Sequence, residues 1–168
     1  MELSVAANIA EIIGAGSILT GLMVGWFQVR QYRTQQRDAV ARDLAQTFYN
    51  PVLARAISLI QGLPDDLSLE EVRAMGKEYV EAANTVTTSF ETVGLLVYKK
   101  IAPFDLVVDL LGGICVTMNR KLRRFQTDLR IELAQPSWAE WFEWLGDQIV
   151  AVKPHRDPAH VRHQDWTP

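Results

Sequence analysis

The chain has 168 residues, 17 basic and 20 acidic, for a net charge of −3, which is enough for one small domain with an appended segment. Beyond Phe27 all 17 basic and 18 of the acidic side chains remain. That part is nearly neutral, without the basic excess of a general nucleic-acid binder. The one cysteine, Cys115, excludes an intramolecular disulfide and fits a reducing compartment. No repeat of about 20 to 50 residues marks a solenoid.

The first element is the apolar stretch from Val5 to Phe27. Its last sixteen residues, from Ile12, carry no charge, and only Asn8 and Glu11 interrupt the part before them. A bilayer core of about 30 Å takes about 20 predominantly apolar residues in a helix, so the stretch predicts a single transmembrane helix. It does not read as a secretory signal, because no positive charge precedes it and no small-x-small cleavage site follows. Arg30, Arg33 and Arg37 all lie beyond its C-terminal end. The positive-inside bias therefore keeps that side in the cytoplasm, with the N-terminus outside. Trp26, Phe27 and Tyr32 suit the interfacial aromatic belt. Ser17, Gly21 and Gly25 form a small-xxx-small row on one face, the pattern that lets a second helix approach in lipid. Glu11 reads first as a headgroup-level residue, with a functional charge in the membrane as the rival reading.

Nothing breaks a helix between Gln28 and Asn50, so the anchor should continue as a juxtamembrane stalk. Val40, Leu44 and Phe48 give that stalk a packing face near its end. Pro51 sets a boundary, and a short helix should run from there to about Gln61. Ser68 and Glu71 have capping-box spacing. From Leu69 through Val72, Gly76, Tyr79, Ala83, Val86, Phe90 and Val93 to Val97, apolar or small residues recur in alternating steps of three and four. They predict one long helix with a narrow seam. After Ile101-Ala102-Pro103 a further helix is expected over Phe104 to Leu133, with Val107, Leu111, Ile114, Met118, Leu122, Phe125 and Leu129 as its stripe. Gly112-Gly113 inside it cost roughly 2 kcal/mol against alanine, so a close neighbour is expected there, near Gly94 or Ala83. Ser137 and Glu140 repeat the capping spacing before a last helix, Trp138 to about Val152. The Pro-rich polar tail beyond it should be loosely held.

Few residues invite catalysis. His155, His160 and His163 all lie in the tail, which gives a metal no fixed geometry. With no histidine elsewhere, Cys115 has no base and reads as a core residue. Glu91 is read as a solvated residue beside the seam, with a buried polar anchor or a general base as alternatives. Asp105 and Asp109 read as macrodipole partners. The basic run Arg120, Lys121, Arg123 and Arg124 is either a solvated face or a surface for anionic lipid. Trp138, Trp141 and Trp144 supply more aromatic surface than one short helix can bury, so they are assigned to the core and in part to a partner interface.

Phe90-Glu91 with Gly94-Leu95-Leu96, followed by Gly112-Gly113 within the segment Phe90 to Leu122, resembles domain-of-unknown-function family 4760. The likeness extends from the Val29-Arg30-Gln31-Tyr32-Arg33 exit to Trp141-Phe142-Glu143-Trp144-Leu145. Where the pattern leads one to expect an aromatic residue after the glycine pair, this chain has Asn119. The resemblance implies a small bacterial membrane protein with a helical cytoplasmic part, and it transfers no activity.

The expected architecture is all-α, with an N-terminal transmembrane anchor (1–27), a stalk (28–50), an antiparallel cytoplasmic bundle (51–152) and a disordered tail (153–168). The expected role is that of a non-enzymatic interaction or scaffold protein at the inner face of a bacterial cytoplasmic membrane, self-associating or joining a larger membrane complex. An accessory subunit of such a complex, packed through its transmembrane helix, is the alternative. No cofactor, metal, nucleic acid or small-molecule substrate is indicated.

Overall fold

The computed structural model describes residues 2–48, 50–152 and 157–167, and the side chains of all of these except 2–15, 33, 36 and 37. The described residues are helical, with turns between helices and no strand. The chain divides into two compact units, Met1–Val40 and Ala41–Pro168.

The first unit belongs to helix α1 (Glu2–Phe48), which no proline or bend interrupts. Among the described residues no helix is long and apolar enough to cross a membrane. The side chains of the first part of the Val5–Phe27 stretch, Glu11 among them, lie outside the described residues. From Gly16 onward the helix exposes apolar side chains around most of its circumference: Ile18, Leu19, Leu22, Met23, Val24, Trp26, Phe27 and Val29 are all at least half exposed, and Ser17, Gly21 and Gly25 share the remaining face. Thr20 satisfies its own hydroxyl by donating to the Gly16 carbonyl at 2.8 Å.

The second unit is the bundle. Leu44 is buried, and Phe48 at the end of α1 packs its ring 5.4 Å from Phe90. Asn50 then caps α2 (Pro51–Gln61), accepting a bond from the Val52 N–H at 2.9 Å, and Pro51 occupies the first turn where its missing N–H costs nothing. Leu53, Ala56 and Ile60 form its buried face. α3 (Leu69–Met75) opens with the expected capping box between Ser68 and Glu71. It is tied to the far end of the fifth helix by Leu69 N–H donating to Asp128 and by a two-point Arg73–Glu132 pair at 2.6 and 2.7 Å.

The single long helix expected over Leu69 to Val97 is two helices. Gly76 adopts φ 120°, ψ 166°, a region open essentially to glycine alone, and α4 (Lys77–Tyr98) starts after this break. The seam survives the break: Leu69 and Val72 on one side, and Ala83, Val86, Phe90, Val93 and Val97 on the other, are buried. α5 (Phe104–Glu132) matches its expected span, and its stripe is buried except at Ile114, where Cys115 takes the inward position. α6 (Glu140–Val152) begins two residues later than expected. Around the bundle α2 packs on α4, α4 on α6, α6 on α5 and α5 on α2. α4 runs into α5, and α5 into α6, through short turns, which makes each an antiparallel neighbour. The tail is more ordered than expected: α7 (Ala159–Arg162) is one exposed helical turn. Residues 153–156, with His155, lie outside the described residues.

Candidate interaction surface

Three residues of α4 hold α6 in place. The Phe90 ring stacks on Phe142 at 5.1 Å with 15° between planes. Next to it, the Glu91 carboxylate accepts the Phe142 N–H at 2.8 Å and also bonds the Trp141 N–H. The N-terminus of α6 is thus capped by a side chain 51 residues earlier in sequence, in place of the cap expected from Ser137. At Gly94 the two backbones meet: a Cβ there would lie 2.2 Å from the Trp141 carbonyl oxygen. Of the three readings Glu91 fits the polar anchor best, although it is half-buried and not fully enclosed. Burial raises its pKa, the bonds to Phe142 and Trp141 lower it, Glu140 raises it and Arg130 lowers it, with a net rise.

The neighbour expected for the glycine pair is α6 and not α4. Gly112 sits against Ile149, with 3.4 Å between its would-be Cβ and the Ile149 methyl carbon, while Gly113 is exposed. A third close approach was not legible beforehand. A Cβ on Gly146 would lie 2.2 Å from Asn119 Nδ2. Asn119 stands where the family pattern led one to expect an aromatic ring, and it fills the space that Gly146 leaves.

The three tryptophans separate into two places. Trp141 and Trp144 join Tyr98 in a cluster, with ring centroids 4.3 Å apart for Tyr98–Trp141, 6.0 Å for Tyr98–Trp144 and 6.1 Å for Trp141–Trp144. Beside this cluster an apolar groove of about 590 Å³ opens between the α4–α5 corner and α6, lined by Val97, Tyr98, Lys100, Pro103, Phe104 and Trp144 among others. Trp138 lies apart, before α6, where its carbonyl accepts the Arg130 Nε–H at 2.6 Å.

The basic run is matched within the bundle. Arg120 and Lys121 both pair with Asp65, at 2.8 and 3.2 Å, and Lys121 also donates to the Leu63 carbonyl. Arg123 reaches Glu143 at 3.0 Å and Asp147 at 3.3 Å, and Arg124 stands 3.9 Å from Glu71. These four side chains clasp the loop before α3, the start of α3 itself and α6. In α1, by contrast, no atom of the described residues outside the helix's own neighbouring backbone lies within 4 Å of a would-be Cβ on Gly21 or Gly25, and Arg30 is exposed. The side chains of Arg33 and Arg37 lie outside the described residues.

Cys115 is fully buried, and burial pushes its thiol up to about 12, far from the thiolate a nucleophile requires. Among the described residues no group of three or more His, Cys, Asp or Glu could hold a metal ion.

The comparison with protein families bears out the resemblance drawn from the sequence. A family model, domain of unknown function (DUF4760), matches residues 15–149. The chain belongs to the DUF4760 family. No curated protein and no solved structure matches it significantly. In this DUF4760 chain the match ends at Ile149, the last buried residue of α6, and leaves out the tail.

Proposed function

We propose that this DUF4760 protein is a membrane-anchored helical interaction module at the inner face of a bacterial cytoplasmic membrane. The observation that carries the reading is the first unit: an unbroken helix whose apolar side chains from Ile18 to Val29 are exposed around most of its circumference. A helix apolar around most of its circumference is at home in lipid or in a large protein core. The Thr20 hydroxyl, already bonded to its own helix, meets the requirement that polar groups in hydrocarbon be satisfied internally. Arg30, Arg33 and Arg37 after the apolar stretch favour a cytoplasmic bundle. The anchor supplies location and two-dimensional concentration, and the bundle supplies a recognition surface at the Tyr98–Trp141–Trp144 cluster.

The small-residue face at Gly21 and Gly25 favours association through the span itself, as a homo-oligomer or as an accessory subunit beside another protein's helix. Crosslinking in native membranes separates the two. A ladder of self-crosslinked species supports the homo-oligomer, and stoichiometric recovery with larger subunits supports the accessory role. Replacing Gly21 and Gly25 together by Ile should abolish either product, and undiminished crosslinking in that variant would rule out the span as the contact.

A further inference from the structure

The end of α4 carries a feature that the packing of the bundle does not require. α4 closes in a Schellman motif: the Ile101 N–H bonds the Leu96 carbonyl and the Lys100 N–H bonds that of Val97, each at 2.9 Å. Lys100 occupies the left-handed position, φ 57°, where glycine is favoured. Lys99 and Lys100 are both exposed, and neither has an acidic partner among the described residues, whereas Arg120, Lys121, Arg123 and Arg124 all do. Lys99 Nζ lies over the Tyr98 ring, 5.6 Å from its centroid. The two free cations flank the apolar groove, and Lys100 helps line it. Tyr98 (51% exposed) and Ile101 (56%) project from the same corner, with Leu95 one helical turn before Tyr98 also exposed.

We propose that this corner is a second membrane contact, with the groove side resting in the interfacial zone of a bilayer and Lys99 and Lys100 on anionic lipid headgroups. Tyr and Trp rings with an apolar body and a polar edge are the residues that settle at headgroup level. An apolar corner joined to paired lysines combines the two attractions that together hold a peripheral surface on lipid. The unmatched positive charge complements phosphatidylglycerol and has nothing to bind on a neutral lipid surface. Each lysine adds about fivefold to anionic surface affinity, about 25-fold for the pair. The proposal rests on the membrane location given above and moves the expected lipid contact from the Arg120–Arg124 run to the α4–α5 corner.

The test uses the full chain with Ile101→Cys carrying an environment-sensitive fluorophore; Cys115, fully buried, is shielded from the reagent. The protein is reconstituted in vesicles of phosphatidylcholine alone or with phosphatidylglycerol. Expected is a blue-shifted emission, quenched by brominated acyl chains, only when phosphatidylglycerol is present. Lys99→Ala with Lys100→Gly should shift that equilibrium about 25-fold toward water. Lys100→Gly alone keeps or raises the melting temperature, because glycine is at ease at φ 57°, so lost contact in it is not lost folding. A label that stays in water in both vesicle types overturns the proposal, as does a blue shift that ignores phosphatidylglycerol or appears only when another protein is added. Alkaline extraction of the same vesicles reads the anchor separately. An anchored chain with its label in water refutes this contact alone, and an extractable chain whose label is still quenched refutes the anchor alone.

Discussion

At Gly94 the absence of a single methyl group sets the distance between two helices. The Trp141 carbonyl occupies the place of a Cβ, 2.2 Å from where it would stand, so Gly94→Ala must push α6 away from α4. It should cost about 2 kcal/mol, read as a lower urea midpoint, and an unchanged midpoint would show that the helices do not meet there. Glu91, three residues earlier, holds the first N–H groups of α6 while half-buried. Its folded pKa lies above that of an unfolded glutamate, because burial outweighs the hydrogen bonds. The folded state therefore holds the proton more tightly. Its share of stability is fully present below the unfolded pKa of about 4.3 and is lost as pH rises through the raised value. Glu91→Gln should remove that slope, and urea titrations of both proteins over the acid range should show their difference changing with pH. A constant difference would contradict the burial. Glu71 and Glu132 titrate in the opposite direction: hydrogen bonds to Ser68 and to Arg73 lower their pKa values, so their contributions are lost as pH falls through them.

At the scale of the helices, the seam and the stripe carried most of the fold. Steps of three and four residues located the buried face of α4 and α5, and Asn50-Pro51 and Ser68/Glu71 marked real starts. Gly76 shows where such reading ends. A glycine in phase with a seam looks like a small packing residue, and only its φ of 120° reveals a break. Gly76→Ala should cost about 2 kcal/mol, although no atom crowds its would-be Cβ, and thermal unfolding would detect it. An alanine variant as stable as the parent would mean that α3 and α4 join into one helix at little cost. The partners of the candidate site were harder to foresee. Glu91 meets α6 across 51 residues, and Asn119 meets Gly146 across 27, so no local pattern could pair them. Phe90, Glu91 and Gly94 lie in the stretch that carried the resemblance, but what they do became readable only once α6 lay beside them. Likewise the run from Arg120 to Arg124 gave its charge in sequence and not its counter-charges, which come from Asp65, Glu71, Glu143 and Asp147.

For the molecule as a whole, the two units present different surfaces. The bundle buries its apolar stripes and matches most of its charges internally. The helix before it carries Leu22, Met23, Trp26 and Phe27 exposed. Exposed apolar surface of that extent marks a membrane or protein contact, and on the reading proposed above that contact is the membrane. The most direct measurement is alkaline carbonate extraction of membranes from bacteria expressing the full chain. The protein should remain in the membrane pellet and leave it only on detergent treatment. Release into the carbonate supernatant would contradict an integral anchor and assign the apolar face of α1 to a protein partner.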